Sequence, residues 1–125
     1  MSILRTSIGW KVDGLMVLGT TGEFPHLEPD QRKRVLELAV KYQTLVMEDD
    51  PYGDLYFGDA PPPSLLALTP QVPGSREWVA HCGSLSKVLS PGLRVGWMIA
   101  QPELLAKATM CKQFSDAHTS TFAQA

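Results

Sequence analysis

Two apolar runs fix what this chain can fold into, because an amphipathic helix separates them. "VDGLMVL", Val12 to Leu18, and "TLVM", Thr44 to Met47, are both short and nearly all apolar. Such runs suit parallel strands covered on both faces. Between them, Pro29 and Asp30 open a helix, since proline fits the first turn and an acid complements the helix dipole. Val35, Leu36, Leu38, Ala39 and Tyr42 have helical spacing for a buried face, and Gln31, Arg32, Lys33, Arg34 and Glu37 read as mostly solvent-facing. The helix should end near Tyr42. Strand, helix, strand makes a right-handed βαβ unit. Its ligands are expected at the carboxyl ends of the strands.

The rest of the chain extends the same sheet. Trp78 to Gly83 reads as a third strand and Leu93 to Ala100 as a fourth. Pro102 opens a last helix, with Leu104, Leu105, Ala108 and Met110 as its expected buried face. "APPPSLLALTPQVPGS" reads as a proline-rich surface loop, with a domain linker as the alternative. A chain of 125 residues suits one domain. The expected fold is therefore a single three-layer α/β domain with a mostly parallel sheet, one βαβ unit and room for an antiparallel edge strand.

Charge and cysteine content exclude several classes of function. The net charge is −2, with basic and acidic residues mixed, so neither nucleic acid nor a membrane surface is an expected partner. No apolar run approaches a bilayer span, and "MSILRTSIGW" has no signal-peptide pattern. Cys82 and Cys111 lack metal-ligand spacing, so no metal is expected, and they read as two buried, reduced thiols in a cytoplasmic protein.

The chemistry concentrates in "GSLSKVLSPGLRVGW", Gly83 to Trp97. "SLSK" ends a strand and begins an irregular turn. Its hydroxyls, backbone N–H groups and Arg94 can converge on a phosphate. A partly desolvated lysine beside another cation can lose its proton and condense with a carbonyl. Upstream, "EDDPY" puts carboxylates and a phenol at the end of another strand, as a pyridine nitrogen and a phenolate oxygen require. These are the demands of pyridoxal phosphate. Taken singly, Lys87 also reads as an exposed lysine, Arg94 as a surface ion pair, and Asp49 and Asp50 as turn residues.

In order and separation, "VMEDDPYGDLYF", "GSLSKVLSPGLRVGWMIA" and "HTSTFAQA" resemble the large domain of fold-type I pyridoxal-phosphate aminotransferases, over residues 41–125. They are most similar to the branch with aminoadipate- and valine-type aminotransferases and related regulators. The resemblance implies Lys87 as the Schiff-base lysine and proton shuttle. It implies Asp49 as partner of the pyridine nitrogen, with Asp50 the less favoured choice, and Tyr52 on the ring's phenolic oxygen. Ser84, Ser86 and Arg94 would hold the phosphate.

A different family is visible in residues 12–40. "VDGLMVLGTTGEFPHLEPDQRKRVLELAV" resembles the second strand, loop and helix of the dihydrodipicolinate synthase and N-acetylneuraminate lyase family. That resemblance implies Thr20 and Thr21 as contacts for a substrate carboxylate, and hydroxyls ahead of a helix N-terminus suit an anion. A closed barrel of that kind needs at least ~200 residues, so lyase activity is not expected. The chain thus reads as a chimera of an aldolase-like segment, residues 1–40, and an aminotransferase segment, residues 41–125. The joined piece should have weak activity or none alone, with pyridoxal phosphate as its candidate cofactor, and should self-associate through exposed sheet edges.

Overall fold

The helix of the βαβ unit forms as its pattern requires. Pro29 sits in the first turn, and the Gln31 side chain accepts the Glu28 backbone N–H at 2.9 Å, satisfying a helix-start donor. This helix, α1 (Pro29–Tyr42), closes with Gln43 in the left-handed conformation (φ 50°) and Thr44 N–H returning to the Ala39 carbonyl at 3.0 Å. The computed structural model describes residues 13–17, 27–56, 58–116 and 118–125. Val12, Leu18, Thr20 and Thr21 lie outside them.

Four strands, β1 (Gly14–Val17), β2 (Leu45–Asp49), β3 (Val79–Ser84) and β4 (Gly96–Ile99), form one sheet in the order β1-β2-β3-β4. The first three run parallel and β4 is antiparallel to β3. This is a single α/β domain with a mixed sheet, its antiparallel strand at one edge. β2 runs two residues beyond the expected end, taking in Glu48 and Asp49. β4 starts later than expected, because Pro91–Leu93 form a 3₁₀ turn and Arg94 is left-handed.

The core lies where α1 meets the sheet. Val35, Leu36, Ala39, Val46, Leu65, Leu68 and Val79 are buried together, and each of the valines and leucines contributes about 1.5–3 kcal/mol when fully buried. Leu65 and Leu68 come from α2 (Leu65–Leu68), which Ser64 caps by accepting the Ala67 N–H. The segment read as a plain loop is therefore partly helical, and its leucines join the core. Flanking prolines hid two buried leucines one turn apart.

Three other expectations fail. Arg32 is 3% exposed rather than solvent-facing, because Glu48 waits beneath it. Tyr42 is 42% exposed, since α1 ends just as its ring would turn under. α4 (Pro102–Ser115) buries no residue fully: Leu104, Leu105 and Ala108 are half-buried and Met110 is exposed. Two short helices, α3 (Leu85–Val88) and α5 (Thr121–Gln124), complete the set.

Candidate functional site

Because β2 and β3 are parallel neighbours, whatever follows each strand emerges at the same edge of the sheet. Asp49, at the end of β2, is opposite Cys82 of β3, and Asp50 extends the ladder by donating its N–H to the Cys82 carbonyl at 2.9 Å. Tyr52 follows in a tight turn. From β3, the chain passes through Ser84 into α3, which carries Ser86 and Lys87.

Ser84 organises this exit. Its hydroxyl donates to the Val95 carbonyl at 3.3 Å and accepts the Ser86 N–H at 3.1 Å, while Leu85 N–H also donates to Val95 at 3.0 Å. Two bonds to Val95 bring the neighbouring Arg94 to the same corner. Arg94 is exposed, holds φ 55°, and donates to the Pro91 carbonyl at 3.3 Å. A left-handed arginine costs about 1–2 kcal/mol of backbone energy, and such strain clusters where function needs a side chain aimed.

The two exits meet through their side chains. The Lys87 ammonium stands 5.7 Å from the centroid of the Tyr52 ring, within cation–π reach. Asp49, Tyr52, Ser84, Ser86, Lys87 and Arg94 thus share one edge. Thr20 and Thr21 lie outside the described residues. Lys87 is exposed, so the desolvation expected around its amine is not supplied by the described residues. Two cavities adjoin this edge, of about 180 and 320 Å³; Tyr52 lines the first and Asp50 both. Lys87 lines neither.

On the other face of the same strand end is a network that sequence reasoning missed. Glu48 is fully buried. Its Oε1 accepts from Arg32 Nη1 at 3.2 Å and from Leu65 N–H at 2.8 Å, and its Oε2 pairs with His81 Nδ1 at 2.9 Å. Asp50 joins this group, its oxygen within 4.8 Å of ligand atoms of both Glu48 and His81. Because Arg32 already neutralises Glu48, the group reads as a protein ion network. Burial, then the Glu48 charge, pushes the Asp50 carboxyl up, offset in part by His81, the Gly53 N–H and Arg32. The only advance signal was an acidic residue on the inward phase of β2. Cys82 is half-buried, its thiol raised by burial and then by Asp49; Cys111 is exposed on α4, correcting the reading of two buried thiols.

The donor set suits pyridoxal phosphate in kind: an amine over an aromatic ring, a half-buried carboxylate, hydroxyls and a guanidinium, all at one edge. Comparison with known proteins agrees. The family model for class I and II aminotransferases matches residues 25–125, and that for the dihydrodipicolinate synthetase family matches residues 1–44. The two overlap on residues 25–44, which contain α1. A 2-aminoadipate transaminase of Thermus thermophilus is 48% identical over 90 residues, 70% of this chain and 22% of that protein. An aromatic-amino-acid aminotransferase of Thermococcus litoralis is 38% identical over 94 residues, 75% of this chain and 21% of that protein. Among solved structures, an α-aminoadipate aminotransferase of T. thermophilus, complexed with N-(5'-phosphopyridoxyl)-L-leucine, superposes with TM-score 0.78 at 35% identity. The match covers 98% of this chain and 32% of that one. A kynurenine aminotransferase of Pyrococcus horikoshii gives TM-score 0.81 at 33% identity, covering 98% of this chain and 31% of that one. The chain spans about a fifth of the length of these curated relatives.

Proposed function

Because this chain belongs to the class I and II aminotransferase family, we propose that it is a chimeric segment of a pyridoxal-phosphate enzyme. It keeps the cofactor-holding edge and has little turnover of its own. The observation that carries this reading is Lys87 over the Tyr52 ring, at the edge that also presents Asp49, Ser86 and Arg94. When bound, pyridoxal phosphate supplies an aldehyde and an electron-withdrawing ring.

Lys87 would supply the amine that condenses with that aldehyde, water leaving, and would hold a proton at its Nζ. Tyr52 sets the direction of that amine and offers its phenol to the ring oxygen. Asp49, half-buried at the end of β2, would pair with the ring nitrogen and favour its protonated form. Arg94 and Ser86 would bind the phosphate, and Ser84 holds the α3 turn that presents Ser86. Weak turnover follows from the exposure of Lys87, which leaves its amine in water. The overlap of family matches on α1 supports the chimera: either family's helix fits this slot. A lyase of the barrel type finds no support, since the described strands form an open sheet.

Self-association goes with this reading, through Met110, Phe114 and Phe122, which are 55%, 88% and 93% exposed. A cytoplasmic setting suits its two unpaired cysteines. No helix among the described residues is long and apolar enough to cross a membrane.

The test is an absorbance titration of the 125-residue chain with pyridoxal phosphate, followed by borohydride reduction and peptide mapping. The label should fall mainly on Lys87, and Lys87→Ala should lose the visible band. An unchanged spectrum in Lys87→Ala would sink the proposal.

A further inference from the structure

His81 sits between two carboxylates beside the turn that carries Tyr52. It is the register partner of Glu48, whose Oε2 takes its Nδ1 at 2.9 Å. Asp50 faces the same imidazole, with the three groups' ligand atoms mutually within 4.8 Å. The Asp50 carboxylate also lies against the Gly53 backbone, whose N–H partly offsets the rise in its pKa. It fills the space a side chain at Gly53 would need, so the turn is closed around it. Tyr52 lies inside that turn, its ring beneath the Lys87 ammonium.

We infer that His81 is a positioning residue for Tyr52. Anchored on Glu48, its imidazole stands beside Asp50, and through Asp50 it steadies the turn that aims the Tyr52 ring at Lys87. The functional sense of this rests on the cofactor reading above; the positioning itself does not. The charges facing the imidazole decide the sign. Arg32 approaches from α1 but bonds the other oxygen of Glu48. Glu48 comes from β2, and Asp50 and Asp54 line the adjoining cavity with His81. β4 contributes Ile99 opposite and Trp97 nearby, both uncharged, and α2 contributes the Leu65 N–H to Glu48. Acids outnumber the free cation at this point, so an imidazolium tightens the turn. Its neutral form leaves Asp50 facing Glu48 with less compensation. Loss of the imidazolium charge should therefore loosen the turn.

The first arm needs no cofactor. In the isotopically labelled chain, the Gly53 amide and Tyr52 ring resonances should move with the same midpoint as the His81 ring protons. The step should vanish in His81→Gln, whose amide can still donate to Glu48, and persist in Lys87→Ala. Asp50→Asn keeps an acceptor for Gly53 but removes the charge, so there His81 should titrate without moving Tyr52. It also serves if His81→Gln does not fold. In the second arm, the ratio of wild-type to His81→Gln affinity for pyridoxal phosphate should fall about two- to fivefold as the His81 ring protons report loss of its charge, the size of a partly exposed ion pair. Gly53 and Tyr52 resonances indifferent to His81, or a step that survives in both variants, would overturn the inference. Failure of the chain to bind pyridoxal phosphate in any variant would count against the cofactor reading alone.

Discussion

α1 and α4 have the same length, 14 residues, and both open on proline, yet one builds the core and the other does not. α1 buries Arg32, Val35, Leu36, Leu38 and Ala39; α4 buries nothing fully. In α1 the apolar residues gather on one stripe with the charges other than Arg32 opposite. In α4, Leu104, Leu105, Ala106, Ala108, Met110 and Phe114 are spread around the axis, so no single face can be covered by one neighbour. Its outermost ring, Phe114, is 88% exposed. A helix becomes part of a core through its pattern and what lies beneath it, not through its apolar content.

The contrast can be broken most sharply at Arg32. Arg32→Met leaves the buried Glu48 short of its cation, and urea denaturation should show a loss of about 3–5 kcal/mol. A loss under ~1 kcal/mol would mean that α1 is not pinned by this pair. Next comes a matched pair of truncations. Leu36→Ala in α1 should cost about 2–5 kcal/mol, while Leu105→Ala in half-buried α4 should cost about 1 kcal/mol or less. Equal effects would erase the distinction between the helices.

Smaller effects sharpen it. Gln43→Gly at the left-handed end of α1 should raise stability by about 0.5–1 kcal/mol, because glycine meets no Cβ penalty there. Asp50→Asn tests the strand end that α1 covers. The folded state holds the Asp50 proton to higher pH than the unfolded chain, whose carboxyl titrates near 3.8. Its contribution is therefore fully present below that value and is lost as pH rises through the folded value. The melting temperature of Asp50→Asn relative to wild type should climb from acid to neutral pH, by a modest amount since Asp50 is only half-buried. At the lower end, Lys112→Ala removes an exposed pair with Asp116 on α4 and should change stability by less than ~1 kcal/mol.

Much of this was readable in advance. Strand, helix and strand followed from apolar runs and spacing, and the shared edge of Asp49, Tyr52, Ser84, Ser86, Lys87 and Arg94 follows once β2 and β3 are parallel neighbours. Two of the misses have a common cause. Arg32 looked like a surface residue because its partner Glu48 is 16 positions away, and His81 reaches Glu48 across 33. Charge patterning along one helix carries no information about a carboxylate buried under it. The segment holding Leu65 and Leu68 was obscured by prolines, although those two leucines end in the core.

What the sequence by itself determined is the order and type of the main elements and the chemistry at the ends of β2 and β3. Periodicity and turn residues act within a few positions of themselves, so they can be read locally. What only the tertiary structure decided is which polar side chains leave water: Arg32 and Glu48 are buried, and Lys87 is exposed. Burying a charge is favourable only when partners from other elements arrive together. For Glu48 these are Arg32 from α1, His81 from β3 and the Leu65 N–H from α2, and only the folded sheet brings them to one place.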